Sequence, residues 1–264
     1  MTRIIMTEFR KMKRYSVIWI GVATMITVIL LSRFMATASN ASEFTFVHFA
    51  SNIMWNNLVL IYPATIVLIA GYIIERERTD DTLKNILTIP ISFRRLLTGK
   101  LVAVGCMVVA LSAIEFFLTL IVSFLSGFSG FSAAGAVQVI FQMIGINLLA
   151  YIAVMPIIAF TAQRGGSFMA GVGFAFFYGF VGMMASGHGL RDIYPITAGL
   201  TLIGYQDGSS EAGNIFVSLM VILVMLIVTV LLVATSRNRE ISSTTKGKGK
   251  KKTAYKRDQK RKAR

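Results

Sequence analysis

Cysteine and histidine are scarce in this chain, which has one cysteine and two histidines among 264 residues. The cysteine, Cys106, lies inside an apolar run, so the chain can form no internal disulfide and no metal cluster built on several cysteines. His48 and His188 stand apart from any cysteine or cluster of carboxylates. The sequence therefore gives no support to a metal site or to a fold held by disulfides.

Charge is also scarce. Charged residues make up 15% of the chain and hydrophobic residues 55%, with a mean hydropathy of +0.69, whereas soluble domains contain about 25% charged residues. Inside a bilayer only helices and closed barrels satisfy every backbone N–H and C=O group. The apolar runs here are about 20 residues or longer, unlike the roughly 10 alternating residues of a barrel strand. We predict an all-α membrane protein.

Six uncharged apolar runs predict six transmembrane helices. The runs are Ser16–Leu31, Ile53–Ile74, Leu101–Leu125, Ala134–Ala162, Ser167–Ser186 and Ile215–Thr235. The first is short unless it continues to about Ala36, in which case Arg33 would reach the outer interface. This run also has features of a cleaved signal peptide, but its removal would leave five spans, so we expect it to be retained.

Lysine and arginine are unevenly distributed along the chain. The N-terminal segment, the connections after spans two and four, and the tail hold 25 of the 27 basic residues, and only Arg33 and Arg191 fall in the opposite connections. Because basic loops are retained in the cytoplasm, we predict that both termini face the cytoplasm. The resulting organisation is an N-terminal segment at 1–15, a six-helix domain at 16–236 and a basic tail at 237–264.

The two terminal segments differ in pattern. In residues 1–15, apolar side chains alternate with basic ones, which predicts an amphipathic helix on the inner leaflet; a simple positively charged anchor is the alternative. The tail has 13 basic residues and two acidic ones, so we predict that it is disordered in the cytoplasm and attracted to anionic lipid. Its one aromatic residue, Tyr255, offers no stacking platform, and we expect no binding to nucleic acid.

The connection between spans two and three, residues 75–100, combines ten charges with an ordered apolar pattern. Leu83, Ile86 and Leu87 fall on one face of a predicted helix that ends at Pro90. Ser92 is predicted to cap a second short helix, and the basic residues after it to lie at the level of the lipid headgroups; these are Arg94, Arg95 and Lys100. The apolar face must be buried against the membrane surface or against another protein.

This connection resembles the permeases of the ABC transporter type-2 family, in particular bacitracin-resistance and lantibiotic-immunity permeases. The matching residues are, in order, Glu75 or Glu77, Thr82-Leu83, Leu87, Pro90, Ser92 and Gly99-Lys100. The six-span layout and the basic N-terminal segment agree with the family, so the resemblance covers about residues 1–236. It places the chain in the bacterial cytoplasmic membrane.

The resemblance implies a coupling helix between spans two and three that docks on a separate ATP-binding subunit, and pairing with a second permease copy or paralogue. It implies export of an amphipathic or peptide antibiotic. The residues it assigns to coupling are Glu75, Glu77, Arg78, Asp80, Asp81, Thr82, Leu83, Lys84, Ile86, Leu87 and Pro90. A re-entrant or interfacial element is implied within the external segment 187–213.

The chain lacks a phosphate-binding loop of its own. Gly99-Lys100 is followed by Leu101 and has no glycine at the required upstream position, so no backbone cradle for ATP phosphates is present. We therefore expect the chain to be no enzyme and to bind no cofactor, with ATP and Mg²⁺ held by the partner subunit.

Polar residues inside the spans are the remaining candidates for function. Glu115 lies midway along span three, where a charge costs about 2.5 to 3.5 kcal/mol on insertion scales. The polar residues that could line a substrate path, or alternatively bond helices together in the interior, are Ser112, Glu115, Thr119, Gln138, Gln142 and Asn147. A secondary transporter using Glu115 as a proton site remains an alternative, and a membrane enzyme a weaker one, since no paired catalytic residues are evident.

Small residues recur every four positions in span five, at Ser167, Gly171, Ala175 and Gly179. Such a seam lets another helix approach closely. The sequence leaves open whether the seam faces the chain's own bundle or a second permease copy.

Overall fold

The computed structural model describes residues 2–12, 15–38, 45–79, 92–205 and 213–236. These ranges contain helices and, beyond one isolated bridge between Thr45 and Ser129, no strand. The helices are α1 (Thr2–Met12), α2 (Val17–Ala38), α3 (Phe46–Asn56), α4 (Tyr62–Thr79), α5 (Phe93–Leu125), α6 (Ala133–Thr161), α7 (Phe168–Gly187), α8 (Pro195–Leu202) and α9 (Ile215–Thr235). The all-α class predicted from the sequence is confirmed.

Six helical stretches in the described ranges are long and apolar enough to cross a membrane, as predicted. They are Val17–Thr37, Phe46–Glu77, Phe93–Leu125, Ala133–Thr161, Phe168–Gly187 and Ile215–Thr235. The first is not short, because the helix continues past Arg33. The side chain of Arg33 donates to the Ser126 hydroxyl at 2.6 Å and lies over the Phe128 ring, so this residue joins α2 to the connection that follows α5.

Spans two and three begin earlier than their hydropathy predicts. Span two starts at Phe46 instead of Ile53, with Thr45 as the N-cap. Ser92 is an N-cap as predicted, since its hydroxyl accepts from the backbone N–H of Arg95. The predicted separate short helix after Ser92 is wrong, because α5 runs without a break from Phe93 to Leu125.

Lys100 is buried in the bundle. Its side chain is only 3% exposed and is bonded to carboxylates of the protein, and its level at the lipid headgroups stays a prediction. Arg94 and Arg95, six and five residues earlier, are exposed, whereas Phe93 and Leu96 beside them are buried. Lys100 therefore lies on the buried face of α5 and the two arginines on its exposed face.

A π turn, Asn57–Ile61, joins α3 to α4 within span two. Pro63 follows it and has no N–H to donate to the carbonyl of Val59, four residues earlier. At this point α7 closely approaches the backbone of span two: a Cβ built on Gly179 would lie 2.9 Å from the Val59 carbonyl oxygen and 3.2 Å from Pro63 Cγ. The irregular turn, the proline and the glycine therefore form one packing contact.

The small-residue seam of α7 faces the chain's own bundle. Gly171, Ala175 and Gly179 are buried. Near the start of α7, a Cβ on Gly71 of α4 would lie 2.8 Å from the Cβ of Phe168. Because glycines at both levels bring α4 and α7 into close contact, the seam serves packing within one chain, and the question left open by the sequence is answered.

The helix α1 packs on the bundle beside the start of α5. Glu8 and Met12 on one side of α1 are buried, whereas Met6 and Phe9 on the other side are exposed. The helix α1 thus has a buried face and an exposed face, and the buried face includes an acidic residue. We call the end of the bundle formed by α1, the end of α4 and the start of α5 the α1 end.

At the opposite end, the segment after α7 contains the buried helix α8 and an acidic junction. Asp192 accepts hydrogen bonds from the Thr201 hydroxyl at 2.6 Å and from the backbone N–H of Asn214. Burial raises the pKa of the Asp192 carboxyl, but these hydrogen bonds and the nearby Arg191 lower it below its usual value. Asp192 thus joins α8 to the residue that caps α9.

Replacing Gly179 with alanine should destabilise the bundle, since the new Cβ would press on the Val59 carbonyl and on Pro63. Overpacking of this kind costs about 1–3 kcal/mol. The matched control is Gly173→Ala in the same helix, where a Cβ meets nothing within 4 Å and alanine favours the helix. Thermal unfolding of the purified protein in detergent should show a lower Tm for Gly179→Ala only; equal Tm values would contradict the packing.

Candidate functional site

The segment 75–100 is described at its two ends only. Most of the residues predicted to contact an ATP-binding subunit lie outside the described residues: Asp80, Asp81, Thr82, Leu83, Lys84, Ile86, Leu87 and Pro90. The side chain of Arg78 is outside them too. The described ends are residues 75–79 of α4 and residues 92–100, and both ends lie at the α1 end of the bundle.

Four charged side chains meet at this end. Lys100 Nζ lies 2.8 Å from Glu8 Oε2 and 2.9 Å from Glu77 Oε1. Lys11 Nζ lies 3.0 Å from Glu8 Oε1 and 2.8 Å from Glu77 Oε1. Each lysine therefore bonds both glutamates, and we call these four residues the charge ring. The ring joins α1, which supplies Glu8 and Lys11, to the end of α4 and the start of α5.

The charge ring is largely removed from solvent. The side chains of Glu8, Glu77 and Lys100 are each at most 5% exposed, whereas that of Lys11 is 34% exposed. Taking an ion out of water costs several kcal/mol, and that cost is offset only when opposite charges and hydrogen bonds surround it. In the ring each ion has two partners of opposite sign within 3.0 Å, and the four charges sum to zero.

The two ring members on α1 carry shifted pKa values. Burial raises the pKa of the Glu8 carboxyl, but the ammonium groups of Lys100 and Lys11 together hold it below its usual value of 4.5. Burial lowers the pKa of Lys11, but hydrogen bonds and charge from Glu77 and Glu8 raise it above 10.5. Both residues are thus held in their charged forms around neutral pH.

Two further contacts hold the end of α4. Glu75 Oε1 accepts from the backbone N–H of Gly166 at 2.8 Å, which ties α4 to the connection between α6 and α7. Gly166 has a φ of +75°, a conformation that glycine adopts without strain. The guanidinium of Arg76 lies 4.7 Å from the centre of the Tyr15 ring and 5.9 Å from that of Tyr72. These contacts connect the start of the segment 75–100 to two other parts of the bundle, the connection before α7 and the residues before α2.

The sequence motif includes Glu77 and Lys100, but nothing in the sequence analysis predicted a role for Glu8. The N-terminal segment was interpreted from its basic and apolar residues, whereas Glu8 is its one acidic residue. A signal was present: Glu8 stands three residues before Lys11, on the same side of a helix. Its second partner, Lys100, lies 92 residues away, and no local pattern predicts a pairing over that distance.

The polar residues of the spans form a second cluster, around Glu115, which is 1% exposed. Asn57 Nδ2 donates to Glu115 Oε1 at 2.8 Å, and Asn147 Nδ2 donates to Oε2 at 2.7 Å. Asn147 also contacts the Ser112 hydroxyl at 3.0 Å. Because Asn57 belongs to the π turn of span two and Asn147 to α6, Glu115 joins three spans in the interior.

The other predicted path residues are placed differently. Thr119 is buried and its hydroxyl donates to the backbone carbonyl of Glu115. Gln142 points toward the opposite end of the bundle and donates to the carbonyl of Ile203 at 3.2 Å. Gln138 is exposed. In the structure, Ser112, Glu115 and Asn147 therefore form a cluster with Asn57, a residue that the sequence did not predict as part of a site.

The stability of the charge ring should depend on pH. The pKa of Glu8 is lower in the folded protein than in the unfolded chain, so its contribution is present above about pH 4.5 and is lost as the pH falls through the lowered pKa. Lys11, with a raised pKa, contributes below about pH 10.5 and loses that contribution only at higher pH. We expect the Tm of the wild-type protein to fall as the pH is lowered, and that of Glu8→Gln to fall less steeply. Thermal unfolding measured over a series of acidic pH values checks this, and an identical fall of Tm in the two proteins would contradict it.

Removing the Glu115 carboxyl should loosen the interior. Glu115→Leu leaves the amides of Asn57 and Asn147 without their shared acceptor, at an expected cost of about 1–3 kcal/mol. Glu115→Gln keeps the shape and an acceptor, and the two asparagine amides can reorient around it, so it serves as the matched variant. Thermal unfolding in detergent should rank wild type and Glu115→Gln above Glu115→Leu; a fully stable Glu115→Leu would contradict the bonding role.

Comparison with known proteins gives the chain its family. A model of the ABC-2 family transporter protein matches residues 4–182, from α1 into α7. Over 95 residues the chain is 38% identical to the bacitracin transport permease protein of Bacillus licheniformis. That alignment covers 36% of this chain and 45% of the relative, so it spans less than half of either protein. With its six apolar helices, the chain belongs to the ABC-2 family of transporter proteins, as a multi-pass membrane permease of an ABC transporter.

Proposed function

We propose that the chain is the membrane-spanning subunit of an ATP-driven exporter, with its termini and the segment 75–100 on the cytoplasmic side. The observation that carries this proposal is the contact between Glu77 and Lys100, whose charged atoms lie 2.9 Å apart. These residues belong to the motif that resembles the family, and they stand at the two ends of the segment. We call residues 75–100 the coupling segment.

The contact between Glu77 and Lys100 holds the two ends of the coupling segment together. Glu77 near the end of α4 and Lys100 near the start of α5 are in contact, so a force on the residues between them would act on α4 and α5 together. A segment with separate ends would transmit force to one helix or the other. This supports a coupling role over the alternative in which the segment only lies on lipid.

Within the coupling segment, Leu83, Ile86 and Leu87 would supply the apolar contact with an ATP-binding subunit. The charged residues around them, Arg78, Asp80, Asp81 and Lys84, would set orientation and the rate of encounter more than affinity. Glu75 and Glu77 would anchor the start of the segment, and Pro90 would end its helix. ATP and Mg²⁺ would bind to the partner subunit.

The substrate and the assembly are further parts of the proposal. The relative from Bacillus licheniformis is named as a bacitracin transport permease, and we propose an amphipathic or peptide antibiotic as the exported substrate of this chain. We also propose that two permease chains pair, as a second copy or a paralogue. The exposed apolar side chains of α2, α7 and α9 offer surface both for such pairing and for lipid.

A second candidate function is transport without an ATPase, with Glu115 as a proton site. The observation in its favour is a buried carboxyl whose two oxygens accept from amides of Asn57 and Asn147, with no lysine or arginine among its described hydrogen-bond partners. The dependence of transport on an ATP-binding subunit separates the two functions.

Changing the apolar face of the coupling segment should release the partner. In Leu83→Asp/Leu87→Asp, we expect recovery of the ATP-binding subunit with the purified permease to fall at least about tenfold, since each buried leucine contributes about 1.5–3 kcal/mol. Co-purification from membranes that contain both subunits measures this recovery.

The matched control adds the same two charges to the other face of the predicted helix. At 3.6 residues per turn, Asn85 and Thr88 lie opposite Leu83 and Leu87, so Asn85→Asp/Thr88→Asp should leave recovery of the ATP-binding subunit within about twofold. Undiminished recovery with the leucine variant would refute docking. Equal loss with both variants would indicate a general effect of charge instead of an apolar contact.

A further inference from the structure

The helix α1 is bonded to the coupling segment through buried charge. Glu8 contributes both of its carboxylate oxygens, one to Lys100 and one to Lys11. Lys11 continues the contact to Glu77 at 2.8 Å. As a result, both ends of the coupling segment, Glu77 and Lys100, are bonded directly to α1.

A helix that only anchored the chain to the membrane surface would be built differently. It would turn its charges to lipid headgroups, and an acidic residue would gain nothing from an anionic leaflet. On α1 the exposed side, with Met6, Phe9 and Arg10, fits that description. Glu8 lies on the other side, is 2% exposed and bonds Lys100. One face of α1 therefore suits lipid and the other is specific for the coupling segment.

Separating α1 from the coupling segment would be costly. It would break the Glu8–Lys100 and Lys11–Glu77 contacts, each at 2.8 Å, and would leave Lys100 with Glu77 as its one carboxylate partner in the charge ring. Moving the three helices together keeps the charge ring closed and avoids that cost. A displacement of the coupling segment should thus carry α1 with it.

We propose that Glu8 is a positioning residue of the coupling machinery: with Lys11, it holds α1 on both ends of the coupling segment, so that α1 moves with the segment when the ATP-binding subunit acts. The inference rests on the proposed function. It assigns a role to residues outside the coupling motif, and it makes α1 a transmitting element in addition to a membrane contact.

The decisive variant is Glu8→Gln/Lys11→Met. It removes both α1 charges from the charge ring but leaves Glu77 and Lys100 as a neutral pair at 2.9 Å, so no buried charge is left alone and the bundle should fold. Arg10→Gln is the matched control, because Arg10 is an exposed basic residue of the same helix. Lys11→Arg is the conservative variant, since arginine can bond both glutamates.

The readout uses Cys106, the one cysteine of the chain, which is exposed on α5 six residues after Lys100. An environment-sensitive fluorophore on Cys106, in the purified complex with the ATP-binding subunit in lipid nanodiscs, reports movement of α5 when ATP is added. Co-purification and the basal rate of ATP hydrolysis are measured on the same samples, and neither depends on α1 in this proposal.

We expect the ATP-dependent fluorescence change to fall at least about fivefold in Glu8→Gln/Lys11→Met, a size within the range of coupling effects of single sites. Co-purification and ATP hydrolysis should stay within about twofold of wild type. Arg10→Gln and Lys11→Arg should behave as wild type. A merely structural role of the charge ring would lower co-purification and hydrolysis together with the fluorescence change.

Three outcomes would overturn the inference. A full fluorescence change in the double variant would make α1 a passive anchor. Loss of the ATP-binding subunit from the double variant alone would make α1 part of the docking surface. The third outcome is a wild-type complex that fails to form or shows no ATP-dependent fluorescence change. That result would contradict the proposed function itself, and it differs from the other two because it appears without any substitution.

Discussion

The burial of Lys100 is the constraint on which the α1 end of the protein depends. The ammonium group of Lys100 is 3% exposed, so it needs carboxylates around it. A buried glutamate beside it would in turn need other cations or hydrogen-bond donors. The charge ring gives each of the four ions two partners of opposite charge, and it does so only if α1, α4 and α5 meet at one point. The position of α1 and the joined ends of the coupling segment are therefore consequences of the same electrostatic requirement.

A second polar contact holds the same two spans deeper in the bundle. Span two is bonded to α5 at Asn57 and again at Glu77, 20 residues apart, whereas the partners on α5, Glu115 and Lys100, are 15 residues apart. At 1.5 Å per residue these distances are about 30 Å and 22 Å. Tilt, the π turn and the length of the ionic side chains have to absorb the difference.

Hydropathy predicted the number of spans because a long apolar run is a local property. It failed at Phe46–Asn52, where polar residues such as His48 and Ser51 interrupt the run, and at Phe93–Lys100, where three basic residues hide a helix that continues into span three. The motif predicted Glu77 and Lys100 as important, but the contact of Glu77 with Lys11 spans 66 residues and that of Lys100 with Glu8 spans 92. Charge pairing at that separation is a property of the fold.

The packing of α4 on α7 extends the contacts of the charge ring to a further helix. Their two glycine contacts, Gly71 with Phe168 and Gly179 with Val59, are 12 residues apart on span two and 11 apart on α7, so these two helices run side by side in matching register. Glu75 adds a bond to Gly166, just before α7 begins. Close backbone contact at two levels allows little sliding between helices. A movement of α4 at the charge ring should therefore displace α7 along with α1 and α5.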